Sequence, residues 1–169
     1  TIIDNATGKQ FDCPVLTPTH GAPVVDVQAI YKELGYFTHD PGFTSTSSCQ
    51  SAITYIDGDK GELLYRGYPI EQLAEHSSYL EVCYLLIYGE LPNAAQLSDY
   101  KTELTGMRDL PQSLKEVLQR IPADAHPMDV MRTGCSFLGN VEPEADFADQ
   151  QRAANRLLSA FPAIMCYWY

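Results

Sequence analysis

The side chains best suited to metal chemistry in this sequence are two aspartates in a short loop rich in glycine. Asp57 and Asp59 alternate with other residues there, as carboxylates do at the start of a calcium loop. A calcium loop starting at Asp57 needs glycine at its sixth position and a carboxylate at its twelfth, and this chain has Glu62 and Tyr68 instead. Because Asp-Gly tolerates the positive φ of a tight turn, the segment predicts a β-hairpin within residues 53–65 and no metal site.

His126 is the histidine whose position most suggests acid–base or ligand chemistry. It precedes Pro127 at the start of a predicted helix, but no cysteine or second histidine lies at a metal-ligand spacing from it. We therefore interpret His126 as a structural residue that bonds backbone groups at the helix start. Arg132 could contact an anion, but Asp129 lies at i−3 and is predicted to pair with it. Arg66 is predicted to anchor its loop through hydrogen bonds.

The remaining patterns provide no nucleophile or phosphate-binding loop. The run of serine and threonine at 44–48 lacks the Gly-x-Ser-x-Gly arrangement that exposes a catalytic serine. The glycines at 58 and 61 are too close together for a P-loop. The residues of this chain therefore predict neither a complete catalytic constellation nor a cofactor site.

Composition limits the partners and the compartment. The formal net charge of −11 disfavours binding to nucleic acid or to anionic membrane surfaces, which requires clustered basic residues. No apolar run approaches the ~20 residues of a membrane-spanning helix. The five cysteines are far apart, with no C-x-x-C pair, so the sequence is typical of a protein in the reducing cytoplasm.

The apolar residues change from short runs to helical spacing across residues 53–89, and we place the domain boundary before this stretch, at residue 48. Residues 1–48 are predicted to form a small β-rich N-terminal extension, with strands on either side of Gly8 and either a strand or a short helix over residues 24–31. Residues 49–169 are predicted to form the hairpin and then a series of helices, so the fold class is mainly α. The predicted helices start or run at these places: Pro69, Tyr79 to Tyr88, Ala94 to Met107, Pro111 to Arg120, Pro127 to about Gly139, and Phe147 to the end.

Several segments resemble the citrate synthase family, especially bacterial members that begin with a small β domain. The segments that carry the resemblance are Asp40-Pro-Gly-Phe-Thr-Ser-Thr46, Ile53-Thr-Tyr-Ile-Asp-Gly-Asp59, Tyr65-Arg-Gly-Tyr-Pro-Ile70 and Leu80-Glu-Val-Cys-Tyr84. Two further segments resemble the related 2-methylcitrate synthases more closely: His126-Pro-Met-Asp-Val-Met-Arg-Thr-Gly134 and Phe161-Pro-Ala-Ile-Met-Cys-Tyr-Trp-Tyr169. Family members are more than twice as long, so the resemblance implies that this chain corresponds to their N-terminal part. The apolar final segment agrees, because a natural C-terminus is usually exposed.

The resemblance implies a parent enzyme that condenses acetyl-CoA with oxaloacetate, needs no further cofactor and forms a homo-oligomer. In the family, an aspartate and a histidine enolise the thioester, a second histidine polarises oxaloacetate, and arginines hold the carboxylates. All of these residues lie in segments beyond Tyr169, so the chain alone is expected to be inactive. Three alternatives stay open, namely a 2-methylcitrate synthase that uses propionyl-CoA, a helical interaction module without catalysis, and a small α-helical binding protein with an apolar pocket.

One possible regulatory residue comes from the same resemblance. Many bacterial relatives bind NADH at basic and aromatic residues of this region, and Arg156 matches one arginine of that site. The other basic positions of the site fall on Pro122, Ala123 and Ala160 in this chain. We therefore interpret Arg156 as a structural residue that pairs with Asp149 or Glu142, and expect no strong inhibition of the parent by NADH.

Overall fold

The computed structural model describes all of residues 1–169, and the chain divides into residues 1–77 and residues 78–169. Seven short strands lie in the first unit, and five of the seven α-helices lie in the second. The mainly helical class predicted from the sequence is confirmed. The division at residue 48 follows the change in sequence pattern and stays a prediction.

The N-terminal segment carries little regular structure. Its strands have two residues each and pair as two antiparallel ribbons, β1 (Ile2–Ile3) with β2 (Gln10–Phe11) and β3 (Val15–Leu16) with β4 (Val24–Val25). Helix α1 (Ile30–Leu34) follows. The stretch for which strand and helix were both open thus contains both. No residue before Leu64 is buried, so these elements have no core of their own.

The predicted hairpin is confirmed and forms the centre of the first unit. Strands β5 (Thr54–Asp57) and β6 (Glu62–Tyr65) pair in register, with Thr54 opposite Tyr65 and Asp57 opposite Glu62. The Asp57 carboxylate accepts the Lys60 backbone N–H at 3.1 Å and pairs with its ammonium at 3.0 Å, which closes the turn. Strand β7 (Tyr68–Pro69) and helix α2 (Ile70–His76) complete the unit. Pro69 precedes the first helical residue instead of being it.

The helical unit is built from helices whose ends are fixed by local capping. Helix α3 (Tyr79–Tyr88) begins at a capping box between Ser78 and Glu81, and helix α4 (Ala94–Gly106) begins at one between Asn93 and Gln96. Helix α5 (Gln112–Leu118), helix α6 (Pro127–Val141) and helix α7 (Gln150–Trp168) follow. These bounds lie within two residues of the predicted ones, except that Phe147–Asp149 forms a 3₁₀ turn before α7.

Helices α5, α6 and α7 enclose the main hydrophobic core of this unit. Its buried members are Leu110, Leu114, Leu118, Val130, Leu138, Ala160 and Ile164. Helices α6 and α7 approach closely at Gly134, where a Cβ atom would lie 2.9 Å from two carbons of Ile164. None of the helices combines the length and the hydropathy needed to cross a membrane.

Candidate functional site

Arg156 lies at the centre of the most highly connected polar cluster of the helical unit. It projects from α7, and its Nε and one Nη donate to the two carboxylate oxygens of Glu142, at 2.8 and 2.9 Å. That residue follows the last residue of α6. The guanidinium also donates to the carbonyl oxygens of Met107 and Asp109, in the segment between α4 and α5. One side chain therefore ties α7 to two other parts of the unit, and the predicted pairing of Arg156 with Glu142 is confirmed.

The electrostatics of this pair follow from its geometry. A bidentate, charge-assisted pair is among the stronger hydrogen-bonding arrangements in proteins. The Arg156 side chain is 13% exposed and that of Glu142 30%, so water screens the pair only partly. Hydrogen bonds from Arg156 hold the pKa of Glu142 below its ordinary value of 4.5, against the opposing effect of burial. Glu142 is therefore ionised near neutral pH and attracts the Arg156 guanidinium.

A cleft of about 340 Å³ opens beside this pair. Apolar atoms of Leu138 and Leu157 form part of its wall, and its charged residues are Arg152, Arg156, Glu142, Glu144 and Asp149. The carboxylates outnumber the cations, and the N–H donors of Arg156 are already hydrogen-bonded to protein oxygens. A pyrophosphate, which needs free cations and N–H donors, finds a poor match in this arrangement.

Asn155 forms a second polar cluster that sequence reasoning did not identify. Its side chain is 1% exposed; it accepts from the Tyr100 hydroxyl at 3.1 Å and donates to the Tyr88 hydroxyl at 2.8 Å and to Glu103 at 3.1 Å. Burial raises the pKa of Tyr100, so its hydroxyl stays protonated and can donate. The only sequence signal was an asparagine within the apolar pattern of α7, since its partners are more than 50 positions away.

The other residues singled out in the sequence have structural contacts. His126 precedes α6, and its Nδ1 accepts the Met128 N–H at 3.2 Å, which confirms its interpretation as a helix-start residue. Arg132 pairs with Asp129 at 3.0 Å, as predicted. Arg66 adopts a φ of 51° in the turn between β6 and β7, and its guanidinium donates to the Ala52 carbonyl at 3.4 Å. The predicted loop anchor is thereby confirmed.

The structure therefore brings together the members of two scaffolding clusters. No group of three or more histidine, cysteine, aspartate or glutamate side chains is placed to hold a metal ion. All five cysteines are free thiols. The polar clusters of the helical unit thus consist of hydrogen bonds that fix helices to one another.

Comparison with known proteins shows similarity over most of the chain. The family model described as "Citrate synthase, C-terminal domain" matches residues 42–169. A 2-methylcitrate synthase of Shewanella oneidensis is 58% identical over 128 residues, which is 76% of this chain and 34% of the relative. The chain thus spans about a third of the length of that curated relative.

Solved structures show the same fold. A citrate synthase from Thermotoga maritima superposes with a TM-score of 0.68 at 33% identity, covering 78% of this chain and 34% of its own. A citrate synthase from Thermoplasma acidophilum, solved as a ternary complex with carboxymethyl coenzyme A and oxaloacetate, superposes with a TM-score of 0.62. That second match has 22% identity, covers 68% of this chain and 31% of the other, and supports the fold alone.

Proposed function

This chain belongs to the citrate synthase family, and from that premise we propose that the protein containing it condenses a short acyl-CoA thioester with oxaloacetate. The observation that carries the proposal is the 58% identity with a 2-methylcitrate synthase over 128 residues. Acetyl-CoA is our first choice of acyl donor, because residues 40–84 resemble bacterial citrate synthases. Propionyl-CoA is the second candidate, which the identity with the Shewanella oneidensis enzyme favours.

The proposed reaction places strict demands on a protein scaffold. A weak carbon acid must lose a proton beside a polarised carbonyl, in a cleft from which water is excluded. Such a site works only when the groups that perform the chemistry are held by rigid elements. We propose that this chain supplies rigidity of that kind and none of the catalytic residues.

Three contacts support the proposed scaffold role. Gly134 lets α6 approach α7 closely against the buried side chain of Ile164. Asn155 joins α7 to Tyr100 of α4 through a buried hydrogen bond and to Tyr88 of α3 through a partly buried one. Arg156 fixes α7 to the end of α6. Each contact restricts how the helices can shift relative to one another.

The test is a substrate comparison on the full-length protein encoded by the gene. We expect release of free CoA only when oxaloacetate and an acyl-CoA are both present, with a higher kcat/KM for acetyl-CoA than for propionyl-CoA. One methylene in a pocket changes the discrimination by about 1–3 kcal/mol, so the ratio is measurable. A tenfold preference for propionyl-CoA would identify a 2-methylcitrate synthase. Absence of activity with both thioesters would favour a helical interaction module.

The same proposal extends to regulation and location. We propose that Arg156 is structural and that NADH does not bind strongly beside it, since its donors are already engaged with Glu142 and two backbone carbonyls. We place the enzyme in the cytoplasm as a homo-oligomer. The free thiols fit a reducing compartment.

A further inference from the structure

The first turn of α6 depends on one residue, His126, for its hydrogen bonds. Pro127 has no N–H to satisfy, and the N–H groups of Asp129 and Val130 donate to the His126 carbonyl at 2.9 and 3.2 Å. The remaining first-turn donor is the Met128 N–H, which is accepted by His126 Nδ1. A single residue therefore satisfies every donor at this helix end.

The cap requires an imidazole that lacks a proton on Nδ1. Neutral histidine has one donor and one acceptor nitrogen, so the proton must lie on Nε2 here. When the ring takes up a second proton, both nitrogens become donors and the acceptor for Met128 is lost. The new positive charge also lies at the positive end of the helix dipole. We propose that His126 is a pH-sensitive helix cap, which holds the start of α6 at neutral pH and releases it on acidification.

No neighbouring charged group is paired with the His126 imidazole. On α6 itself, Asp129 is paired with Arg132. The elements packed against α6 are α5 and α7, and their charged and titratable groups are Lys115, Glu116, Arg152, Arg156, Cys166, Tyr167 and, after the last turn, Tyr169. None of these groups, nor Asp124 in the preceding loop, makes a hydrogen bond or ion pair with His126. The imidazole is exposed, so its proton can exchange with solvent.

Loss of this cap affects the core because the first turn reaches into it. Val130 is fully buried against a cluster that includes Leu114 and Leu118 of α5. Fraying of the residues before it weakens the hold on that side chain. Protonation of His126 therefore loosens the start of α6 and the packing of Val130 against α5 together.

The experiment measures amide hydrogen exchange at Met128, Asp129 and Val130 in the full 169-residue chain, corrected for the intrinsic pH dependence of exchange. In the wild-type chain, we expect protection of these amides to fall by about fivefold from pH 8 to pH 5.5, the loss typical of an N-cap. In His126→Asn, a strong cap without a titrating group, protection stays constant. In His126→Ala, protection is low at both pH values.

A matched control and a second readout make the result decisive. His76→Asn removes another exposed histidine, in the first unit, and keeps the pH dependence of the wild-type chain. Nitrogen NMR of the wild-type chain at pH 8 finds the His126 proton on Nε2, a measurement that needs no variant to fold. Equal pH dependence in the wild-type chain and His126→Asn would overturn the proposal, as would a proton on Nδ1 at pH 8.

Discussion

Replacement of Gly134 by alanine tests whether close helix approach holds the α6–α7 pair. The added Cβ atom would lie 2.9 Å from Cδ1 and 2.9 Å from Cγ2 of Ile164. Rotation about χ2 can move Cδ1, but Cγ2 is attached at the stiff β-branch and has no alternative position without a change of χ1. Ile164 is fully buried, so it cannot swing into solvent.

The magnitude follows from two opposing effects. Overpacking of a close-packed core costs about 1–3 kcal/mol. Alanine in place of glycine within a helix stabilises the folded state by about 0.8–1 kcal/mol through its higher helix propensity. Because both branches of Ile164 are in the way, we take the upper part of the first range and expect a net loss of about 1–2 kcal/mol in the free energy of unfolding.

The helix provides its own control. Gly139 is exposed on α6, and a Cβ atom there meets nothing within 4 Å. Gly139→Ala should therefore increase stability by about 0.5–1 kcal/mol through helix propensity alone. The double variant Gly134→Ala/Ile164→Val removes Cδ1, and its loss should be smaller than the sum of the single losses by about 0.5–1 kcal/mol.

Urea unfolding followed by tryptophan fluorescence is a suitable assay. Trp168 is the only tryptophan of the chain and packs against the α5–α7 core, so its emission reports on the unit that contains the change. If Gly134→Ala is as stable as Gly139→Ala, then the close approach does not constrain the pair and the reasoning fails.

Three further predictions concern the Arg156 cluster and the chain's activity. Arg156→Ala should lower the free energy of unfolding by about 1–3 kcal/mol, because Glu142 and two carbonyls lose their donors. Since Arg156 lowers the pKa of Glu142 in the folded state, the pair's contribution to stability is present above pH 4.5 and is lost as the pH falls through the lowered pKa. The urea midpoints of the wild-type chain and Arg156→Ala should therefore converge in acid. Fluorescence titration of the full-length protein with NADH at low salt should show no micromolar binding, and binding that disappears in Arg156→Ala would contradict this. The 169-residue chain mixed with oxaloacetate and acetyl-CoA should release no thiol above background, and reproducible turnover would contradict the assignment of its role as scaffold.

The helix ends were predictable because each is decided by residues close in sequence. Ser78 and Glu81 are three positions apart, and their mutual hydrogen bonds fix the start of α3 without reference to the rest of the chain. Gly89 ends that helix with a φ of 97°, which glycine adopts at little cost. The predicted pair of Arg132 with Asp129 is confirmed for the same reason, since helical spacing alone brings the side chains together.

Features that depend on partners distant in sequence were harder to predict. Asn155 meets Tyr100 and Tyr88 across 55 and 67 positions, and no local pattern distinguishes it from an asparagine on a solvated face. For residues 24–31, the sequence left strand and helix open, and the structure contains a short piece of each. No buried residue lies in that segment, so no core imposes a single period on it.

The absence of buried residues before Leu64 has a consequence for synthesis on the ribosome. The residues before Leu64 emerge ahead of the α5–α7 core, at about 5–20 residues per second, and carry exposed apolar side chains such as Ile3, Val15 and Val25. The α5–α7 core lies between Leu110 and Trp168, close together in sequence, so its contacts can form rapidly once that stretch has emerged. The apolar side chains of residues 1–63 are therefore accessible to chaperones throughout the time in which the α5–α7 core is synthesised and folds.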